Sequence, residues 1–379
     1  MTIDSVCISD AANDLWLSNY YIGFGKRNKS DILIPLLLEI NNSTVGLNTI
    51  ESLPSDFLKK DGIVKARKQF LNALDNAHQN HNSKVVLLAA STKRLFGKNI
   101  ELKVNSKGML DDSGFTLKEK YPDVIFTNGD NGTSVILEME VDAYLSKENI
   151  KPENFTHCQT CNGDVSCTGT VIINGLGLLG TNTLLHLIEK QFCDMQVIVI
   201  SNFTKELESI IGKKNVQVFT HIKEIKNHCC LESSNKVKLI VNCTHHPSQM
   251  ITSDSIANIQ RGQKIHVIDV AVPYGFPEEE FKKCNNVTRQ DGGNAFIDNG
   301  LEFYFNPEIC GLTDNVLYGC FAETVAISRF MKENPGSEPL IRELDLFNVN
   351  KITKDFVHRL FEKYGIGIAP IPYNFMKLE

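Results

Sequence analysis

The strongest constraint on this chain's fold is a short glycine pattern. Gly175, Gly177 and Gly180 form G-x-G-x-x-G directly after the β-branched run TVIIN (170–174), and the helix-like stretch TNTLLHLIEKQF (181–192) and a second run, MQVIVIS (195–201), follow. Strand, tight turn, helix and strand are the context in which this pattern closes a βαβ unit. Gly175 permits the turn, Gly177 lets the backbone approach a pyrophosphate with no Cβ in the way, and Gly180 allows close helix–strand packing. Leu178 and Leu179 then lie where the first backbone N–H groups of the helix would hold the phosphate. A glycine-rich turn that binds nothing is the alternative. KLIVNCT (238–244) and KIHVIDVA (264–271) add two more runs of strand length, so the region reads as a parallel, doubly wound sheet.

The end of the second run bears on which dinucleotide would bind. A site for NAD usually places Asp or Glu there to hold the ribose 2′-OH. Here the chain reads ISNFTK (200–205), with no acid before Glu206. Ser201, Asn202, Thr204 and Lys205 suit a 2′-phosphate, which a carboxylate would repel, so NADPH is the expected cofactor. Ser, Asn and Thr are also good helix caps, and that reading stays open. Cys243 and Thr244 close the KLIVNCT run at the sheet edge where cofactors sit, and they complete the expected cofactor set.

The 379 residues suggest two or three domains at about 100–200 residues each. Before the glycine loop, DILIPLLLEI (31–40) reads as a strand. Val64, Phe70, Leu71, Leu74 and Ala77 recur at helical spacing within 61–80, and VVLLAAS (85–91) is a strand leading into Thr92-Lys93-Arg94. After NGDNG (128–132), SVILEMEVDAYLS (134–146) has helical periodicity. The expected organisation is therefore α/β throughout. Residues 1–168 form an N-terminal α/β domain whose last part, 151–168, is a Cys-rich linker or insertion, and 169–311 form a Rossmann domain. The C-terminal helices of 312–379 return to the first domain. LTDNVLYGCFAETVAISRFMKEN (312–334) is read as one long helix.

Charge narrows the partners. With 39 Lys+Arg against 45 Asp+Glu the net charge is −6, and the basic footprint of a nucleic-acid-binding protein is missing. The longest apolar stretch, Ile32 to Leu38, contains Pro35 and falls far short of the ~20 residues of a membrane span. The N-terminal sequence has no basic residue followed by an apolar run, so no signal peptide is expected. Eleven cysteines, an odd number, do not read as a disulfide framework, and a reducing cytoplasm is the expected setting. A homo-oligomeric state is left open.

Several cysteines have unremarkable contexts. Cys193, Cys243 and Cys310 lie in or beside apolar runs, and Cys229, Cys230 and Cys284 lie in polar segments. His157, Cys158, Cys161 and Cys167 supply enough ligands for a zinc site, but the second pair of a zinc ribbon is missing and no metal is expected. Cys320 stands apart, in Tyr318-Gly319-Cys320-Phe321-Ala322-Glu323, where the glycine leaves space around the sulfur. If Thr313 or Asp314 caps the helix, Cys320 sits in its second turn. On pattern alone a nucleophile and a core cysteine are both open.

The helix ARKQFLNALDNA (66–77), LLAASTKRLF, NGDNGTS, the Gly175–Gly180 loop, VIDVAVP (267–273), Asp291-Gly292-Gly293 and above all YGCFAETVAI (318–327) resemble the aldehyde-forming acyl-acyl carrier protein reductases, in the same order over about residues 60 to 330. The family usually has a G-x-x-G-x-x-G loop, from which this chain departs. The resemblance implies an NADPH enzyme that takes an acyl group from acyl carrier protein or coenzyme A onto Cys320 and releases an aldehyde. Such chemistry needs oxyanion donors, and Thr92 and Lys93, at the C-terminal end of a strand, are the candidates, with Asn131 and Thr133 behind them. Two alternatives remain. One is a shikimate-dehydrogenase-like NADP oxidoreductase in which Cys320 is structural and Lys93 moves a proton; the other is a nucleotide-binding partner protein. His245, His246, Asp269 and Arg289 could serve a site or merely hold loops.

Overall fold

The computed structural model describes residues 3–9, 36–40, 43–52, 54–148, 169–190, 196–201, 216–225, 237–244, 246–260, 263–271, 274–303, 313, 315–370, 373–375 and 377–378. The chain divides into two compact units, Met1–Val135 with Ala295–Gly367, and Ile136–Asn294 with Ile368–Glu379.

The first unit is built on a mixed sheet. β1 (Ser5–Ser9), β2 (Leu36–Ile40), β3 (Ser43–Thr49), β4 (Val85–Leu88) and β5 (Ile125–Thr127) are joined later by β13 (Leu301–Phe303), in the order β13-β2-β3-β1-β4-β5. The run β3-β1-β4-β5 is parallel, while β2 and β13 are antiparallel at the edge. Helix α1 (Lys60–His81) covers the sheet because Ala66, Phe70, Leu71, Ala73, Leu74 and Ala77 fall on one face. They pack on Val6, Ile8, Val86 and Leu88. The strand expected over 85–91 ends at Leu88, and Ala90–Arg94 curls into a 3-10 turn.

Helix α2 (Asp130–Lys147) begins four residues before the expected 134. Asn and Gly in NGDNG suggested a loop; in fact Gly129 turns at φ +71° and the Asn128 side-chain oxygen accepts the Asp130 N–H at 3.1 Å, which starts the helix.

The second unit carries β6 (Gly169–Asn174), helix α3 (Leu178–Glu189), β7 (Gln196–Ile200), β8 (Val216–Phe219), β9 (Val237–Asn242), helix α4 (Ser253–Gln260), β10 (Ile265–Asp269) and β11 (Val287–Asp291). Every neighbouring pair in the order β11-β10-β9-β6-β7-β8 is parallel. This is the doubly wound Rossmann order, whose crevice opens outside the carboxyl ends of β6 and β9. The unbroken apolar runs follow from burial on both faces. Val171, Ile173, Leu239 and Val241 enter one core cluster, whereas Ile172 and Ile240 enter the other.

The chain then returns to the first unit through β12 (Asn294–Ile297), β14 (Val316–Tyr318) and helix α5 (Gly319–Glu333), followed by α6 (Glu338–Glu343), α7 (Lys351–Tyr364) and β15 (Ile366–Ile368). α5 packs on β1, β3, β4 and α7. The single helix expected over 312–334 is thus corrected: Val316–Tyr318 pairs beside β12 in a three-stranded sheet, and the helix starts at Gly319.

Candidate active site

The late start of α5 moves Cys320 from the expected second turn to the first. Its N-cap, Tyr318, is extended and makes no side-chain cap, so the first-turn N–H groups lack intrahelical acceptors. The Phe321 N–H is directed at the Cys320 sulfur. The start of α2 lies against the same turn. A Cβ on Gly129 would lie 2.2 Å from the Cβ of Cys320, and one on Gly132 would lie 2.3 Å from the Gly319 carbonyl oxygen. Only glycine allows this approach, which brings the positive ends of two helix dipoles to one half-buried thiol.

Lys93 and Asp130 complete the rim. The Lys93 Nζ forms an ion pair with Asp130 Oδ1, with 29% and 19% of the two side chains exposed. Burial acts to lower the Lys93 pKa, but Asp130, Cys320 and Glu323 outweigh it and raise the value. Beneath them Glu323 is fully buried. Its Oε2 accepts the Gly132 N–H at 2.6 Å and its Oε1 accepts the Thr127 hydroxyl. Burial pushes Glu323 up to about 7 against those two donors. Burial likewise pushes the Cys320 thiol up to about 11; Lys93 and the Phe321 N–H pull it down, while Asp130 and Glu323 oppose them. At neutral pH the resting group is a thiol beside a charged lysine.

The structure therefore brings Cys320 and Lys93 together. It turns Thr92 elsewhere: the buried hydroxyl donates to the carbonyls of Ala89 at 2.6 Å and Ile8 at 3.0 Å, fixing the turn that carries Lys93. Asn131 donates to the Leu346 carbonyl at 3.2 Å, and the Thr133 hydroxyl to that of Gly129 at 3.2 Å; both hold the loop. Asp130, Glu323 and Gly129 were missed as site residues. Their only signal was position, inside NGDNG and one turn after Cys320.

In the second unit the glycine loop caps β6. Gly175 adopts φ +92°, and a Cβ there would lie 2.6 Å from the Thr244 Cβ, so the loop meets the end of β9. A Cβ on Gly180 would lie 1.9 Å from the Gly175 oxygen, whereas one on Gly177 meets nothing within 4 Å. That opening, beside the first-turn N–H groups of Leu178, Leu179 and Gly180 in α3, fits a pyrophosphate. Ser201 is buried, and its N–H donates to the Phe219 carbonyl at 2.9 Å. Burial and then Asp269 push the Cys243 thiol upward, and its contact with the core cluster makes it a packing residue. Asn202, Thr204 and Lys205 lie outside the described residues.

Asp269 and Arg289 hold loops. A polar ladder crosses the carboxyl ends of four strands: Asn174 Nδ2 donates to Asn242 Oδ1 at 2.7 Å, Asn242 Nδ2 to Asp269 Oδ1 at 2.7 Å, and Arg289 to Asp269 at 3.1 Å and Asp291 at 2.5 Å. Asp269 also accepts the Phe276 N–H at 2.8 Å. His246 is exposed and bonds Ser248. His245, the cysteines Cys193, Cys229, Cys230 and Cys310, and the cluster His157, Cys158, Cys161 and Cys167 lie outside the described residues. Among those described, no group of three or more His, Cys, Asp or Glu side chains is arranged to hold a metal, and no helix is long and apolar enough to cross a membrane.

No protein-family model and no curated protein matches the sequence. Among solved structures the chain is similar to quinate dehydrogenase from Corynebacterium glutamicum in complex with NAD, at 10% identity and a TM-score of 0.38, covering 96% of this chain and 99% of that one. Shikimate dehydrogenase from Aquifex aeolicus gives 10% identity and a TM-score of 0.34 over 90% of this chain and 97% of that one. Glutamyl-tRNA reductase from Methanopyrus kandleri gives 15% and 0.28, over 80% of this chain and 57% of that one. At these scores nothing about substrate or mechanism passes from them to this chain.

Proposed function

We propose that this chain is an NADPH-dependent oxidoreductase that reduces an acyl thioester, of acyl carrier protein or coenzyme A, to an aldehyde through an acyl group carried on Cys320. The observation that supports it is the half-buried Cys320 thiol in the first turn of α5, beside the Lys93–Asp130 pair. The resemblance of YGCFAETVAI to the acyl-acyl carrier protein reductases supplies the substrate class.

Cys320 Sγ bonds to the thioester carbon, the bond from that carbon to the carrier sulfur breaks, and the thiol proton leaves with the carrier. Negative charge develops on the carbonyl oxygen, and the Lys93 ammonium and the first-turn N–H groups of α5 are the donors available to it. Asp130 keeps Lys93 charged and oriented. NADPH, when bound, supplies hydride to the acyl carbon. The oxyanion so formed on the acyl-Cys320 carbon collapses to aldehyde as the carbon–sulfur bond breaks, and the Cys320 thiolate takes a proton from water. Gly177 and the N–H groups of Leu178, Leu179 and Gly180 would seat the pyrophosphate; Thr244 shapes the loop, and the sequence ISNFTK after β7, with no acid before Glu206, favours a 2′-phosphate over a bare ribose.

A second reading draws on the Lys93–Asp130 pair itself, which suits proton transfer at a substrate hydroxyl in a dehydrogenase with Cys320 structural. Intact-protein mass spectrometry after incubation with acyl thioesters, without NADPH, separates the two. An adduct confined to Cys320, lost in Cys320→Ser with NADPH binding retained, is the expected result. Full thioester-dependent NADPH oxidation in Cys320→Ser would overturn the acyl-enzyme.

A further inference from the structure

Among the described residues, the Cys320 cluster holds three acidic groups, Asp130, Glu323 and Cys320, against one cation. Lys93 is the cation, in contact with Asp130. Glu323 and Cys320 follow on α5, three residues apart and therefore on one helix face within a few ångströms of each other. Glu323 cannot turn away, because the Thr127 hydroxyl from β5 and the Gly132 N–H from α2 grip its two oxygens. Gly132 in turn has no room for a side chain: its Cβ would lie 2.6 Å from the Cβ of Glu323. The charged and titratable groups that face Glu323 are Lys93 from the turn after β4, Asp130 from the start of α2, and Cys320 on its own helix.

We propose that Glu323 and Cys320 share a single negative charge, so that the thiol ionises readily when Glu323 carries a proton and is held neutral when Glu323 is a carboxylate. The physical reason is mutual repulsion of two anions in a site where burial already opposes each of them. Glu323 is thus a positioning residue that acts through the charge of Cys320, and the inference rests on the Cys320 reading above. In the acyl transfer it keeps the balance of protons. As the sulfur–carbon bond forms and the carrier bond breaks, the proton lost by Cys320 is accommodated on Glu323 and then taken by the departing carrier thiolate, with no net gain or loss.

The test is the pH dependence of Cys320 alkylation by iodoacetamide in the full chain, without acyl substrate or nucleotide, read by peptide mass spectrometry at Cys320. Glu323→Gln is expected to move the midpoint down by about one pH unit, about a tenfold gain in rate at pH 7. Thr127→Val removes a donor that favours the carboxylate, and it is expected to shift the midpoint the same way by less; it carries the test if Glu323→Gln does not fold. A merely structural glutamate would change the protein's stability and leave the midpoint where it is. An unchanged or raised midpoint in Glu323→Gln, or in Thr127→Val where Gln fails to fold, overturns the inference. Because no thioester is used, a protein that shows the shift but forms no acyl adduct refutes the thioester reading alone.

Discussion

Replacing Gly177 and Gly180 of the 175–180 loop in turn separates a ligand seat from a structural turn. In Gly177→Ala the new methyl meets no protein atom within 4 Å, and the backbone at φ −70° and ψ −167° suits an L residue. Stability without nucleotide should therefore hold or rise by about 0.4–1 kcal/mol, through a less flexible unfolded chain. The same methyl projects into the proposed phosphate seat. Losing one charge-assisted bond there, about 1.5–3 kcal/mol, weakens NADPH by about 10- to 150-fold. Gly180→Ala behaves in the opposite sense. Its Cβ would lie 1.9 Å from the Gly175 carbonyl oxygen, and overpacking of that kind costs about 1–3 kcal/mol or more in the free protein. Urea unfolding without nucleotide and a fluorescence titration with NADPH give the two numbers for each variant. Unaltered NADPH affinity in Gly177→Ala, or a loss of free-protein stability equal to that of Gly180→Ala, would refute the assignment of the loop.

Glu140 and Asp269 offer further checks in the second unit. Burial pushes the Glu140 carboxyl up to about 8, with its Oε2 accepting the Gly293 N–H at 2.9 Å. Its folded value thus lies above the unfolded value of about 4.3, so its contribution is fully present below that pH and is lost as pH rises towards 8. The urea midpoint should fall over this interval, and Glu140→Gln should flatten the slope; equal slopes would count against a buried neutral carboxyl. Asp269→Ala strips the fully buried Arg289 of one of its two carboxylates and leaves it Asp291, so the loss should stay below the about 3–5 kcal/mol of a buried charge left with no partner. Removing Arg289 alone, which leaves both Asp269 and Asp291 buried without their cation, should cost more than Asp269→Ala, and an equal loss in both variants would argue against the network.

The Rossmann unit was legible because its signals are local. TVIIN, KLIVNCT and KIHVIDVA carry consecutive apolar residues at their centres since each strand is covered on both faces, and the glycines follow the first of them directly. The start of α5 was not legible. Tyr318 caps without a side-chain bond, and Val316 and Leu317, which belong to a strand, continue the apolar spacing of the helix. The partners of Cys320 were hidden for another reason. Asp130 lies 37 residues from Lys93, and Thr127 and Gly132 lie 196 and 191 residues from Glu323. No periodicity reports contacts of that range. Lys93 on its own is a lysine in a turn, and only the fold supplies the carboxylate that holds it.

The balance of forces at Cys320 explains why its reactivity depends on neighbours. A first-turn position is worth about 0.3–1 kcal/mol to an anion, or about 2 kcal/mol in partly buried geometry. That corresponds to at most about 1.5 pKa units. Burial can oppose it by about 3–5 units, and burial prevails here, since the thiol rises to about 11 despite Lys93 and the Phe321 N–H. Neither the helix nor the lysine alone makes a thiolate at neutral pH. The charge can be released only by a change in the groups that oppose it. Asp130 is committed to Lys93, which leaves Glu323, held near 7, as the neighbour whose protonation changes within the physiological range.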